Sequence, residues 1–162
     1  MTFNYGSTLL AISGIKRNVS IIDTRTWSTI HEIPTKNTVQ SISFSCSNGY
    51  LALRSDNSPT CIIGPPSFNF LITLPSIGFI HCLSFSPDSS RLALGDADGM
   101  LTLISTSDWN ILGEMDESEL PIYTVDWSQD GEYFAIGRNN AICTVHHCAD
   151  VYRNFWVFQA DL

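Results

Sequence analysis

The chain has 162 residues, 44% of them hydrophobic and only 15% charged, enough for a folded core and too apolar for a disordered chain. Its net charge is −8, which disfavours general binding to nucleic-acid backbones. It carries no run of 18 apolar residues and no basic, apolar leader at "MTFNYGSTLLAIS", so neither a membrane helix nor a secretory signal is expected and an intracellular, cytoplasmic or nuclear setting is.

The expected elements come as four copies of one unit. The first is "FNYGSTLLAISGIKRNVSIIDTRTWSTIHEI", the second "FSCSNGYLALRSDNSPTCIIGPPSFNFLITL", the third "FSPDSSRLALGDADGMLTLISTSDWNILGEM" and the fourth "WSQDGEYFAIGRNNAICTVHHCADVYRNFWVF". Steps of 41, 41 and 42 residues connect Phe3, Phe44, Phe85 and Trp127. The same steps connect Leu10, Leu51, Leu92 and Phe134, and Ala11, Ala52, Ala93 and Ala135; a fourth ladder joins Trp27, Phe68 and Trp109. Within a copy, segments such as "RLALG", "MLTLIS" and "YTVDWS" alternate with period two, and Pro87-Asp88, Asp98-Gly99, Asp130-Gly131 and Asn139-Asn140 supply turns. No segment has a helical period with caps. Four short strands per copy, sixteen in all, are expected, the first cut short at Met1, with copies at roughly 1–38, 39–79, 80–121 and 122–162.

A repeat of about 40 to 45 residues with four strands is the pattern of a β-propeller blade. One blade cannot bury both faces, and small residues at positions 11, 52, 93 and 135 would let blades approach closely. The fold class is therefore all-β, a β-propeller segment of about four four-stranded antiparallel blades.

"HCLSFSPDSSRLALGDADGMLTLIS" resembles the WD-repeat (WD40) family across three strands, and "YTVDWSQDGEYFAIG" matches the same first half. The family's Trp-Asp pair is replaced by Ile22-Asp23, Ile63-Gly64, Ile104-Ser105 and Val145-His146, and its Gly-His pair is absent. The Asp-His-Ser-Trp network that the resemblance implies is thus intact in no copy, so stability is expected to rest on packing and to be modest. WD-repeat propellers usually close with seven or eight blades. The chain is accordingly expected to be an incomplete propeller: a piece of a longer product, a half that pairs with itself or another half, or a tight four-bladed ring.

The resemblance implies a non-catalytic scaffold or adaptor that presents loops to proteins or peptides. An enzyme with an axial site, or a half-propeller that self-assembles into a homodimer, are the alternatives. No nucleophile elbow or phosphate loop occurs, and no cofactor is expected. Cys143, His146, His147 and Cys148 split between two faces of an expected strand and lack a second ligand pair, so no metal is expected. The five cysteines are read as reduced and mostly buried thiols. Candidate partner contacts are Asp116, Glu117 and Glu119 in an acidic loop spanning 113–121, which would meet a basic peptide. Arg54 and Arg138 at strand-joining turns, and Phe79 as an apolar anchor, complete the set.

Overall fold

The computed structural model describes residues 1–14, 17–47, 49–56, 58–74, 78–116, 119–138 and 143–151. They form two compact units, Met1–Ser76 and Ile77–Leu162, each holding two copies of the repeat.

The first unit contains β1 (Thr2–Phe3), β2 (Leu9–Ser13), β3 (Asn18–Asp23) and β4 (Ser28–Pro34) in one sheet, and β5 (Val39–Phe44), β6 (Leu51–Ser55), β7 (Cys61–Gly64) and β8 (Asn69–Thr73) in another. The second contains β9 (Ile80–Phe85), β10 (Arg91–Asp96), β11 (Met100–Ser105) and β12 (Ile111–Asp116), then β13 (Ile122–Trp127), β14 (Tyr133–Arg138) and β15 (Cys143–His147). Every sheet is a meander in which consecutive strands pair antiparallel. The expected sixteenth strand would fall within 152–162, outside the described residues. Among the described residues the one departure from an all-strand reading is a helical turn at 148–151, which takes Cys148 out of β15. Among the described residues no helix is long and apolar enough to cross a membrane.

The two units are built alike. In the first, Ala11, Val19, Ile21 and Ile33 pack with Ile42, Phe44, Leu51 and Leu53. In the second, Ala93, Leu101, Leu103 and Met115 pack with Val125, Phe134 and Ile136. These are the same places in the repeat, displaced by 82 or 83 residues. Ala11 and Ala93 are wholly buried in these cores, as the alanine ladder requires.

The turns repeat too. At the first turn of each copy one short polar side chain ties the strands together. Asn4 accepts from the Leu9 amide, and the Ser45, Ser86 and Ser128 hydroxyls accept from the amides of Tyr50, Arg91 and Tyr133. After the third strand, the Thr24 hydroxyl donates to the Ser7 carbonyl and the Thr106 hydroxyl to the Ser89 carbonyl; the Cys148 thiol does the same to Gly131. Side chains that find partners among nearby backbone groups favour turns in this way. Trp27, Phe68 and Trp109 each adopt a left-handed backbone, with φ of 55°, 51° and 61°, so that ladder marks a turn conformation.

The strand register also corrects the fourth repeat. Phe134 pairs with His146 and Tyr133 with His147, just as Leu92 pairs with Ile104 and Arg91 with Ser105. The pair standing in the Trp-Asp place is therefore His146-His147, one residue later than Val145-His146.

Candidate functional site

The first strand of each of three blades breaks its ladder at one place. Val39 pairs with Ser55 and Ser41 with Arg54, which leaves Gln40 as an extra residue. Ile80 pairs with Asp96 and Cys82 with Gly95, leaving His81. Ile122 pairs with Arg138 and Thr124 with Gly137, leaving Tyr123. A β-bulge bends the strand and re-aims the side chain of the extra residue.

In the second unit the bulges build an aromatic stack. The His81 ring lies 5.0 Å from Tyr123, nearly parallel, and 5.9 Å from Phe79, edge-on. Phe79 is 48% exposed and Tyr123 52%, so the stack is open to a partner. Its backbone is held: the Phe79 carbonyl accepts from the Ala97 amide, which extends the β9–β10 ladder into the next turn. That turn is pinned from inside by Asp96, whose Oδ1 accepts from the amides of Asp98 and Met100. Burial pushes the Asp96 carboxyl above its ordinary value, against the effect of those amides.

Acidic groups lie at the same end of the strands as the stack. Asp98 is exposed in the turn beside Phe79, and Asp116 is exposed opposite Met100 at the end of β12. Glu119 is exposed in the segment leading to β13; Glu117 lies outside the described residues. The acidic segment is shorter than expected, because Gly113, Glu114 and Asp116 belong to β12.

The two arginines are placed differently from the expectation. Arg54 and Arg138 sit in β6 and β14, and only 5% and 8% of their surface is exposed. Arg54 reaches Asp56 at 3.6 Å while Gln40 donates to the other Asp56 oxygen at 2.9 Å. Burial pulls the Arg54 guanidinium below its ordinary value, and Asp56 partly restores it. Arg138 donates from Nη1 to the Thr144 hydroxyl, and its Nε has no hydrogen-bond partner among the described residues. Both arginines brace the ends of their strands instead of offering an exposed contact.

The histidines of β15 are also engaged locally. His146 stacks on Phe134 and hydrogen-bonds Thr144, and His147 Nδ1 accepts from the Ala149 amide. Among the described residues no group of three His, Cys, Asp or Glu is placed to hold a metal ion. Of the cysteines, Cys82 and Cys148 are buried, Cys46 and Cys61 half-buried and Cys143 exposed, so the thiols are less buried than expected. Burial pushes the Cys82 thiol up to about 12.

Charge divides between the units. Met1–Ser76 holds five Lys and Arg against three Asp and Glu, a net of +2. Ile77–Leu162 holds three against thirteen, a net of −10. His81 and Tyr123 were not singled out from the sequence. The usable signal was a step of three between core positions, Val39 to Ile42, Ile80 to Leu83 and Ile122 to Val125, where period two allows only even steps.

Residues 60–108 match the family model described as WD domain, G-beta repeat. The chain is 24% identical over 136 residues to THO complex subunit 3 of Arabidopsis thaliana, covering 83% of this chain and 43% of that protein. It is 31% identical over 114 residues to WD repeat-containing protein 1 of Mus musculus, covering 67% of this chain and 19% of that protein. The chain thus spans less than half the length of these curated relatives. Among solved structures it is similar to the β-propeller domain of Cps50 (Swd1) from Myceliophteria thermophila, with a TM-score of 0.82 at 13% identity over 90% of this chain and 50% of that one. Kuenenia stuttgartiensis hydrazine synthase matches with the same TM-score of 0.82 at 14% identity, over 92% of this chain and 45% of that one. At these identities both show the fold alone. The four-copy ladder, the repeated turns and bulges and the matched repeat together make this chain a member of the WD-repeat β-propeller family, with four degenerate repeats.

Proposed function

We propose that the chain is a non-catalytic protein-interaction module whose second unit binds a basic segment of a partner protein. The observation that carries this is the exposed Phe79–His81–Tyr123 stack, with exposed Asp98, Asp116 and Glu119 at the same end of the strands. Aromatic faces attract Lys and Arg side chains, and the neighbouring carboxylates steer them. The described cations of this unit are Arg91, in the strand end far from the stack, and buried Arg138, so little positive charge opposes such a partner. Membership of the WD-repeat family supports an interaction role in general terms. An intracellular setting belongs to the same proposal.

The test is a peptide-display selection on the purified chain, followed by anisotropy titrations of the selected peptides. Enriched sequences should be rich in Lys and Arg and should bind more weakly as salt rises. Phe79→Ser and Tyr123→Ser, both at exposed positions, should each weaken binding by about ten-fold or more while the melting curve is retained. Selection of neutral or acidic peptides whose binding ignores both variants would overturn the reading.

A further inference from the structure

The first unit holds a groove of about 560 Å3 between β4 of one blade and β7 and β8 of the next. Its floor is Ile33, Leu53 and Ile63, all buried members of the core. Phe70, 62% exposed, stands on β8 along one side, and His31 lies 5.7 Å from Phe68. Lys36 is the one formally charged group among the described lining residues.

In the second unit the place of His31 is taken by Gly113, and a Cβ there would meet the Val151 carbonyl oxygen at 3.0 Å and its side chain at 3.1 Å. Val151 stands 83 residues after Phe68 and Gly113 stands 82 after His31, so where two rings meet in the first unit a glycine meets a valine in the second. The groove lies in the half of the sequence with positive net charge.

We propose that this groove docks an extended segment of a partner protein carrying an apolar side chain followed by carboxylates. The volume suits one or two side chains of a peptide, and the apolar floor supplies the burial. Lys36 selects the sign of the flanking charge, opposite to that selected by the acidic surface of the second unit. β4 and β8 are the edge strands of their sheets, so both walls offer unpaired backbone to an extended chain.

The experiment uses the full chain and two fluorescein-labelled peptides: a Gly-Ser background with one leucine followed by two aspartates, and its twin with lysines in place of the aspartates. The aspartate peptide should bind about ten-fold tighter than its twin, and Lys36→Glu should abolish or reverse that preference. Phe70→Ser should weaken the aspartate peptide about five-fold or more. Both side chains face solvent, and the melting curve of each variant reports whether it has folded. Binding should also shield Cys61, which lines the groove, from iodoacetamide, while the exposed Cys143 keeps reacting. Equal binding of the two peptides, indifference to Lys36→Glu, or unshielded Cys61 at saturation would each overturn the proposal. A preference for the lysine peptide would overturn it as well and would point to the acidic unit instead.

Discussion

The indole Nε1 of Trp127 donates a hydrogen bond of 3.1 Å to the carbonyl of Ser84 on the neighbouring blade. Trp127 occupies the place of Phe3, Phe44 and Phe85 in the other copies, so only the fourth repeat carries a donor there. β9 is an edge strand, and this bond satisfies one of its carbonyls while the ring packs edge-on against Phe134 at 5.8 Å. Trp127→Phe should keep the packing and lose the bond, which lowers stability by about 1 kcal/mol. Urea denaturation with an unchanged slope and a lower midpoint would show this; an unchanged midpoint would mean that the bond contributes nothing.

Gly95 is a second contact between blades of the second unit. A Cβ there would run into the Ile122 side chain and the Cys82 sulfur, both buried. Gly95→Ala should therefore destabilise by about 1–3 kcal/mol, as overpacking does. Gly14 ends a comparable strand, has nothing within 4 Å of its would-be Cβ and has no positive φ. Gly14→Ala should be neutral or slightly stabilising. Thermal melts of the two variants side by side test the contrast.

Trp27 is 68% exposed and held at φ 55°. The left-handed conformation costs a bulky residue about 1–2 kcal/mol, and an exposed ring recovers little of it. Trp27→Gly should leave the melting temperature unchanged or raise it, despite the regularity of the ladder. A clear fall would show that the ring packs enough to offset the backbone cost.

Asp88 and Asp130 occupy the first turns of the third and fourth copies. Burial alone would raise Asp88, but hydrogen bonds from Ser86 and Ser90 outweigh it and hold the carboxyl low; Asp130 is held low by the Ser128 hydroxyl and the Glu132 amide. A carboxyl depressed in the folded state contributes stability that is present above its ordinary unfolded value and is lost as the pH falls through the folded one. Melting temperature should therefore drop between about pH 5 and about pH 3, and the Asp88→Asn/Asp130→Asn double variant should drop less steeply. Asp96, raised by burial, has the opposite sign in the window just above the ordinary carboxylate value, so it is left intact in this comparison. Equal slopes for both proteins would remove these turns from the acid response.

Much of the fold was legible in advance because it is local and repeated. Turn residues such as Asp88 and Asp130, the alternation of β10 and β11, and the alanine ladder each need only their neighbours in the chain, and each recurs at the same offset. The fourth copy was misaligned by one residue after β14 because the pattern there, "CTVHHC", gives no contrast between faces, and pairing alone sets its register.

The amino-acid sequence by itself determined the blade: where strands start and stop, which faces are apolar and that four copies exist. Only the tertiary structure decided what the blades display. Bulges turn His81 and Tyr123 into one stack because strand pairing, not composition, determines which residue is left over. Burial withdraws Arg54 and Arg138 because exposure depends on the neighbouring strand, which no local pattern encodes. The groove beside Lys36 is lined from β4, β7 and β8, segments far apart in the chain that no local pattern brings together.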